Sequence, residues 1–340
     1  MVATALHCTW TSLGTTEQSR HGGMITGCVP SGVCWDWFWL ALEHGRCKED
    51  NIETTERVDG ELRWFAIRLD PDFKEVRLVI ISDVHYGNPL FSKSHFKRTI
   101  DFVAKNPDVY AMLNGDMCES ALKTSKGDIY RQVGSPQDQR DWIIDRLEPI
   151  KSKIIGMDTG NHEWRIMQDC GLDISKDIAD ALHIPYRAEG IKFKILFGND
   201  HAEHVGQLFA FKAYCTHGYG GARTKAAKAV KAERVGAWMP DADLIAMSHD
   251  HVVNVEPSVA FFDDSRSYVD KKTTFETGKI SAHRMMIVKT NAYLKWGGYA
   301  EMGGYPPNDL STPVIYLLTP QSKRWEDYPE KPCKAIKVGV

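Results

Sequence analysis

Asp83 and His85 stand two residues apart at the end of the apolar run 76–82. The same kinds of side chain recur in tight groups further along: Asn114, Asp116 and Glu119; then Asn161, His162 and Glu163; then His217; then His249, Asp250 and His251. Imidazole, carboxylate and amide oxygen without thiolate form a donor set suited to Mn²⁺, Fe or Zn²⁺. Any one group is a weak signal. A lone histidine at a strand end is more often a hydrogen-bonded structural residue, and Asp-x-His arises often by chance. Five groups in succession, each closing an apolar run, point instead to one shared cation-binding site.

Such a site needs elements that carry five distant segments to one place. Short apolar runs at 76–82, 109–116, 153–160, 209–218, 243–251, 284–290 and 314–320 read as strands, most of them ending in Gly, Asn, Asp or His. Helices are expected between them at 94–105, 135–151 and 174–182, the first two opening on serine, a good N-cap. Alternating strands and helices predict an α/β sheet, in which ligands gather at the carboxyl ends of the strands. The polar groups sit at those ends, and Val84, between the first pair, is expected to point into the core.

The blocks Asp83-x-His85, Gly115-Asp116, Gly160-Asn161-His162-Glu163, His217 and His249-x-His251 occur in the order that marks the calcineurin-like metallophosphoesterases, and over about half its length the chain resembles that family. The wider sequence, including YGNPLFSK and THGYGGARTKAAKAVKAER, resembles the phage and prophage branch. One departure is Ser248, where the family usually has glycine. A small residue is tolerated there unless φ is positive.

The resemblance implies a β-sandwich flanked by helices, with the site at the strand C-terminal ends. It implies two divalent metal ions, manganese foremost, with zinc, iron, nickel or magnesium as alternatives. Asp83, His85 and His251 would hold one ion, Asn161, His217 and His249 the other, and Asp116 would bridge them. Two cations so placed lower the pKa of a shared water, and the resulting hydroxide attacks phosphorus. His162 would donate a proton to the leaving oxygen or stabilise the charge developing there. Imidazole ligands need outer acceptors to fix their tautomers, and Glu119, Glu163 and Asp250 are the candidates.

The segment GYGGARTKAAKAVKAER follows His217 and places a glycine-rich turn before a helix bearing Arg223, Lys225, Lys228, Lys231 and Arg234. A glycine-rich turn and a helix N-terminus suit phosphate, and a basic stripe suits a nucleic-acid backbone. The plainer reading is a solvated basic face. Arg223, Lys225, Tyr86 and Tyr219 are therefore candidate substrate contacts, the tyrosines by stacking a base or binding a phosphate oxygen, with packing as their alternative. The expected activity is hydrolysis of phosphodiesters in DNA, RNA or nucleotides. The alternatives are a phosphomonoesterase or protein phosphatase of the same family and, from another class, a non-catalytic scaffold.

The composition agrees with a globular enzyme: 340 residues, 43% hydrophobic, 26% charged and a net charge of −3, which argues against a protein that coats nucleic acid generally. No run approaches a membrane span and no signal-peptide pattern opens the chain, so a cytoplasmic protein is expected. Residues 1–60 read as an appendage of unassigned role, with an aromatic helix at about 35–46, and 61–340 as the catalytic domain. Cys8, Cys28, Cys34 and Cys47 cluster near His7, His21 and His44, but with no Cys-x-x-Cys pair they read as incidental thiols. Oligomeric state is left open.

Overall fold

The computed structural model describes residues 63–340 except 124, 126–128, 200–207, 265–277, 308 and 326–333. The appendage expected at 1–60, its aromatic helix and its cysteine cluster lie outside these residues.

One sheet has five strands in the order β11-β10-β2-β3-β4: β2 (Glu75–Ile81), β3 (Val109–Asn114), β4 (Ile154–Asp158), β10 (Val314–Leu318) and β11 (Ala335–Gly339). Strands β2, β3 and β4 are parallel, and β10 and β11 return antiparallel. The other sheet has six strands in the order β1-β5-β6-β7-β9-β8: β1 (Trp64–Arg68), β5 (Ile191–Asn199), β6 (Leu208–Thr216), β7 (Leu244–Met247), β8 (Asn254–Asp264) and β9 (Lys279–Lys289). Here β6, β7 and β9 run parallel.

Side-chain alternation sorts the strands into layers. Val76, Leu78 and Ile80 of β2 and Tyr110 and Met112 of β3 share a core with Phe193, Phe197, Phe211 and Val288 of the other sheet. Val79, Ile81, Val109, Ala111 and Leu113 face the opposite way, onto helices α1 (Lys93–Lys105), α2 (Pro136–Leu147) and α4 (Ile174–Leu182). Val84 joins that second core, fully buried. Ala232 and Val235 of α5 (Lys225–Trp238) cover the outer face of the six-stranded sheet against Ile245 and Ile287. The architecture is a helix-flanked β-sandwich, the expected fold class.

The helix starts follow local chemistry. Ser135 caps α2 by accepting from the Asp138 amide, and Asp138 accepts in return from the Ser135 amide, with Pro136 in the first turn. That helix ends at Leu147 rather than 151, and a 3₁₀ turn over Glu148–Lys153 takes its place. Pro149 has no amide to continue the α-helical ladder. Four strands escape the apolar-run criterion: β1, β5, β8 and β11. In β5 buried and half-exposed residues alternate, so no continuous apolar run exists to be seen. Strand β8 contains Pro257 and lies at a sheet edge, where a missing amide is tolerated. Among the described residues no helix is long and apolar enough to cross a membrane.

Candidate metal centre

The strand topology delivers the five groups to one end of the sandwich. Asp83 and His85 follow β2, Asp116 follows β3, and Asn161 opens helix α3 (Asn161–Cys170) just beyond β4. His217 follows β6, and His249 and His251 follow β7. The first three segments come from the five-stranded sheet and the last two from the six-stranded one. The turns are tight. Asp83, His85, Asp116, His249 and His251 all have positive φ, between 49° and 71°. Such left-handed conformations are costly for non-glycine residues and persist where the surroundings over-determine them. Ser248 is not among the positive-φ residues.

Three overlapping His/Asp groups result among the described residues, His85-Asp116-His162 being one, and the other two match the expected ligand sets. In one, Asp83 Oδ1 lies 3.1 Å from His251 Nε2 and 3.8 Å from His85 Nε2, while the two ring nitrogens face each other at 3.2 Å. In the other, His217 Nε2 and His249 Nδ1 are 3.2 Å apart, and Asn161 Oδ1 lies 3.2 Å from the first and 2.7 Å from the second. One oxygen, Asp116 Oδ2, faces both groups, 3.3 Å from His217 Nε2 and 3.7 Å from His85 Nε2.

Hydrogen bonds on the far side of each ring show what the near side offers. His217 Nδ1 donates to the Asn114 carbonyl at 2.8 Å, and His249 Nε2 donates to the Gly220 carbonyl. His85 Nδ1 lies 3.3 Å from Glu119 Oε2. With His217 Nδ1 and His249 Nε2 used for donation, those rings when neutral turn lone pairs toward Asp116 Oδ2 and Asn161 Oδ1, which are themselves acceptors. Asp83 Oδ1 is buried with no hydrogen-bond partner among the described residues. Acceptors converging on acceptors, mostly buried, fit divalent cations as the missing partner.

Without metal, protons must serve instead. Burial pulls His85 down, but Glu119, Asp116 and Asp83 outweigh it and lift its pKa to about 9. Burial opposes protonation of His217 too, yet Asp116 and Asp83 hold it well above the ordinary imidazole range. Burial disfavours the Asp83 and Asp116 carboxylates, and the facing imidazoles reverse that, keeping both acids ionised. Metal uptake near pH 7 is therefore expected to release protons, read by titration calorimetry in buffers of different ionisation heat. The sign for stability follows from the raised pKa. The His85 contribution to the metal-free protein is complete below the ordinary histidine range, about pH 6.5, and is lost as pH rises through about 9. Its melting temperature should fall across that window, and the metal-loaded protein's should not.

Supporting residues fix the candidate ligands. Glu163, buried on α3, accepts from the amides of Asp116 (3.0 Å) and Cys118 (2.8 Å), clamping the Asp116 turn. Burial and the Asp116 charge push its pKa up to about 7 against the pull of the Cys118 amide. Glu163 thus orients backbone rather than an imidazole, and Asp250 pairs with lysines rather than a ring. Of the three candidate acceptors only Glu119 meets imidazoles: His85, and His162 Nδ1 at 3.8 Å. A buried hydroxyl chain, not anticipated from the sequence, backs Asp83. Ser82 Oγ donates to Asp83 Oδ2 at 3.0 Å and meets Thr290 at 2.9 Å; Thr290 meets Ser248 at 2.8 Å; Ser248 accepts from Asn114 Nδ2. The Ser248 hydroxyl thus ties strands of both sheets, a contact that glycine could not make.

His162 occupies the second position of α3. Its amide donates to Asp116 Oδ1 (2.8 Å), its Nδ1 donates to the Glu119 carbonyl (2.7 Å), and its Nε2 lies 3.9 Å from Asp116 Oδ2. Burial holds its pKa down at about 4, against the pull of Asp116, so the free ring is neutral near pH 7.

The outer contacts divide. Tyr219 is half-exposed, and Arg223 and Lys225 are exposed at the start of α5. Tyr86 is committed to packing instead, stacked on Trp142 with centroids 3.7 Å apart and edge-on to Phe91. Of the lysines spaced by three along α5, Lys225 faces solvent, but Lys228 is buried and Lys231 turns inward.

Two glycines make the close approach possible. A Cβ on Gly160 would overlap the amide nitrogen and Oδ1 of Asp116, and one on Gly115, at φ +73°, would sit 2.6 Å from Gly160. Gly160→Ala is expected to cost at least about 1–3 kcal/mol as overpacking and to weaken metal uptake by displacing Asp116. Calorimetric unfolding and metal analysis check both effects.

No family model matches the sequence, and no curated protein does. Among solved structures the chain is similar to a predicted phosphoesterase from Streptococcus pneumoniae, at 10% identity and TM-score 0.32, over 78% of this chain and 99% of that one. It is similar to Vps29 complexed with Zn²⁺ from Entamoeba histolytica, at 9% identity and TM-score 0.32, over 78% and 97%. It is also similar to the Pseudomonas putida nuclease MPE, at 12% identity and TM-score 0.30, over 70% and 82%. At these TM-scores the site rests on its own geometry.

Proposed function

We propose that the protein is a two-metal phosphoester hydrolase of the calcineurin-like type, acting on phosphodiesters of nucleic acid or nucleotides. One observation carries this reading: two adjacent groups of lone-pair donors, drawn from both sheets, share a single oxygen of Asp116. Asp83, His85 and His251 would hold one metal, Asn161, His217 and His249 the second, with Asp116 common to both. Borderline nitrogen and oxygen donors suit manganese, with zinc, iron, nickel or magnesium as substitutes. When bound, such cations supply Lewis acidity to phosphate oxygens and lower the pKa of water.

The chain's own residues supply the rest. Glu119 steadies His85 and, through its carbonyl, His162. His162 Nε2 is the ring atom left free of a hydrogen bond to Glu119. An anionic phosphate beside it would favour the imidazolium, so the proton for a leaving alkoxide would be gained on substrate binding. Arg223, Lys225 and Tyr219 offer exposed contacts for a polyanion beyond the site. The manganese-reconstituted protein should hydrolyse bis-p-nitrophenyl phosphate faster than p-nitrophenyl phosphate and should cleave single- or double-stranded DNA. A preference for the monoester would move the assignment to a phosphomonoesterase. No turnover with two metals bound would favour the scaffold reading.

A further inference from the structure

Asp250, between the two histidines of the His249-x-His251 turn, is buried and has every polar group engaged. Its Oδ2 accepts from Lys289 Nζ at 2.6 Å and its Oδ1 from Lys231 Nζ at 2.9 Å. Its carbonyl accepts from Lys228 Nζ at 2.8 Å, and its amide donates to the Ser248 carbonyl at 2.8 Å. The Lys289 side chain is 0% exposed, a rare position for an ammonium group.

Ordinary pairing does not account for this arrangement. One buried lysine needs one carboxylate; here a single aspartate residue receives three ammonium groups, from α5 on one side and the end of β9 on the other. What they surround is a turn whose flanking residues, His249 and His251, are held at φ 71° and 52°. Those two histidines belong to different donor groups. Lys231 also packs beneath Gly220, where an added Cβ would lie 3.0 Å from its Nζ, and the Gly220 carbonyl accepts from His249.

We infer that Lys289 and Lys231 are positioning residues, which clamp Asp250 so that one turn presents His249 to one metal and His251 to the other. The inference rests on the two-metal reading above and adds a coupling: disturbing the clamp should weaken both metals together, whereas removing either histidine should weaken mainly one.

Lys289→Met keeps the stem and removes the charge. Asp250→Asn keeps the shape and the Lys228 contact and carries the same test if Lys289→Met does not fold. Each full-length variant and the parent protein are titrated with Mn²⁺ by calorimetry and followed by electron paramagnetic resonance. The expected result is about 10–100-fold weaker binding at both sites, the usual effect of removing outer partners of metal ligands. The spin-coupled two-manganese spectrum should be lost with it. A purely structural clamp would lower the melting temperature and leave the spectrum of the folded, loaded protein unchanged. Parent-like affinity and spectrum in the folded variants, or loss of one metal alone, overturn the inference. Failure of the parent to bind Mn²⁺ overturns the two-metal reading and the clamp with it.

Discussion

Asp116→Asn is expected to abolish two-metal binding and turnover together. Asn tolerates the left-handed backbone at φ 52° better than Ala, so this change isolates the charge from the fold. Oδ1 is used by the His162 amide, leaving Oδ2 as the atom turned to both donor groups. An amide there brings no negative charge to offset two dications. It also removes the opposing charge that keeps His217 protonated in the metal-free state. At most one metal should remain by elemental analysis, and kcat should fall on the order of 10³-fold or more, the scale of losing a preorganised electrostatic group. Asp116→Ala should lose as much activity and more stability. Two bound metals with full turnover in either variant would remove Asp116 from the shared position.

The second large effect concerns His162→Ala. The ring lies close to His85 (centroids 4.3 Å apart) and its Nε2 is 3.9 Å from Asp116 Oδ2, but its Nδ1 is anchored on the Glu119 carbonyl and neither ligand set of the two-metal reading needs it. Both metals should therefore stay bound. For substrates with alkoxide leaving groups kcat should drop about 10²–10⁴-fold, the usual range for a positioned proton donor. For nitrophenolate leaving groups, which need no proton, the loss should be small. Equal losses across leaving groups would contradict proton donation and leave an electrostatic role. The pH profile of kcat should show a higher value for this ring than that of kcat/KM, because only the complex contains the phosphate charge.

Why were these residues visible in a bare sequence while their supports were not? Strands β3 and β4 throughout, and β2 from Leu78 onward, are parallel and covered on both faces, so they read as apolar runs. A polar residue at the end of such a run is conspicuous. The same property hid β5, whose alternation of buried and half-exposed residues gives no run. Spacing of three placed Lys228 and Lys231 on one helix face but could not say whether that face met water or Asp250. Glu163 sits two residues from the candidate ligand Asn161, and nothing in its sequence position distinguishes an imidazole partner from two backbone amides across the sheet. For Tyr86, in the loop after β2, the stacking partner Trp142 lies on helix α2, 56 positions away, a contact no local pattern encodes. One overlooked clue was present: Lys289 closes the apolar stretch of β9, where a charge demands a buried partner.

The hydroxyl chain and the two donor groups have a mechanical side. Asp83 and His85 belong to one sheet and His251 to the other; Asn161 belongs to the first and His217 and His249 to the second. Each cation would therefore be a stitch across the seam where the two sheets meet. At the opposite end of the sandwich the layers are joined by the apolar interior and by Lys334, which reaches across to Asp243 and to the Ala210 carbonyl. Chelation should thus act regionally: amide exchange should quicken at the carboxyl ends of β2, β3, β6 and β7 while mid-strand amides stay slow. The protein would loosen like a book whose clasp is undone, its spine still sewn.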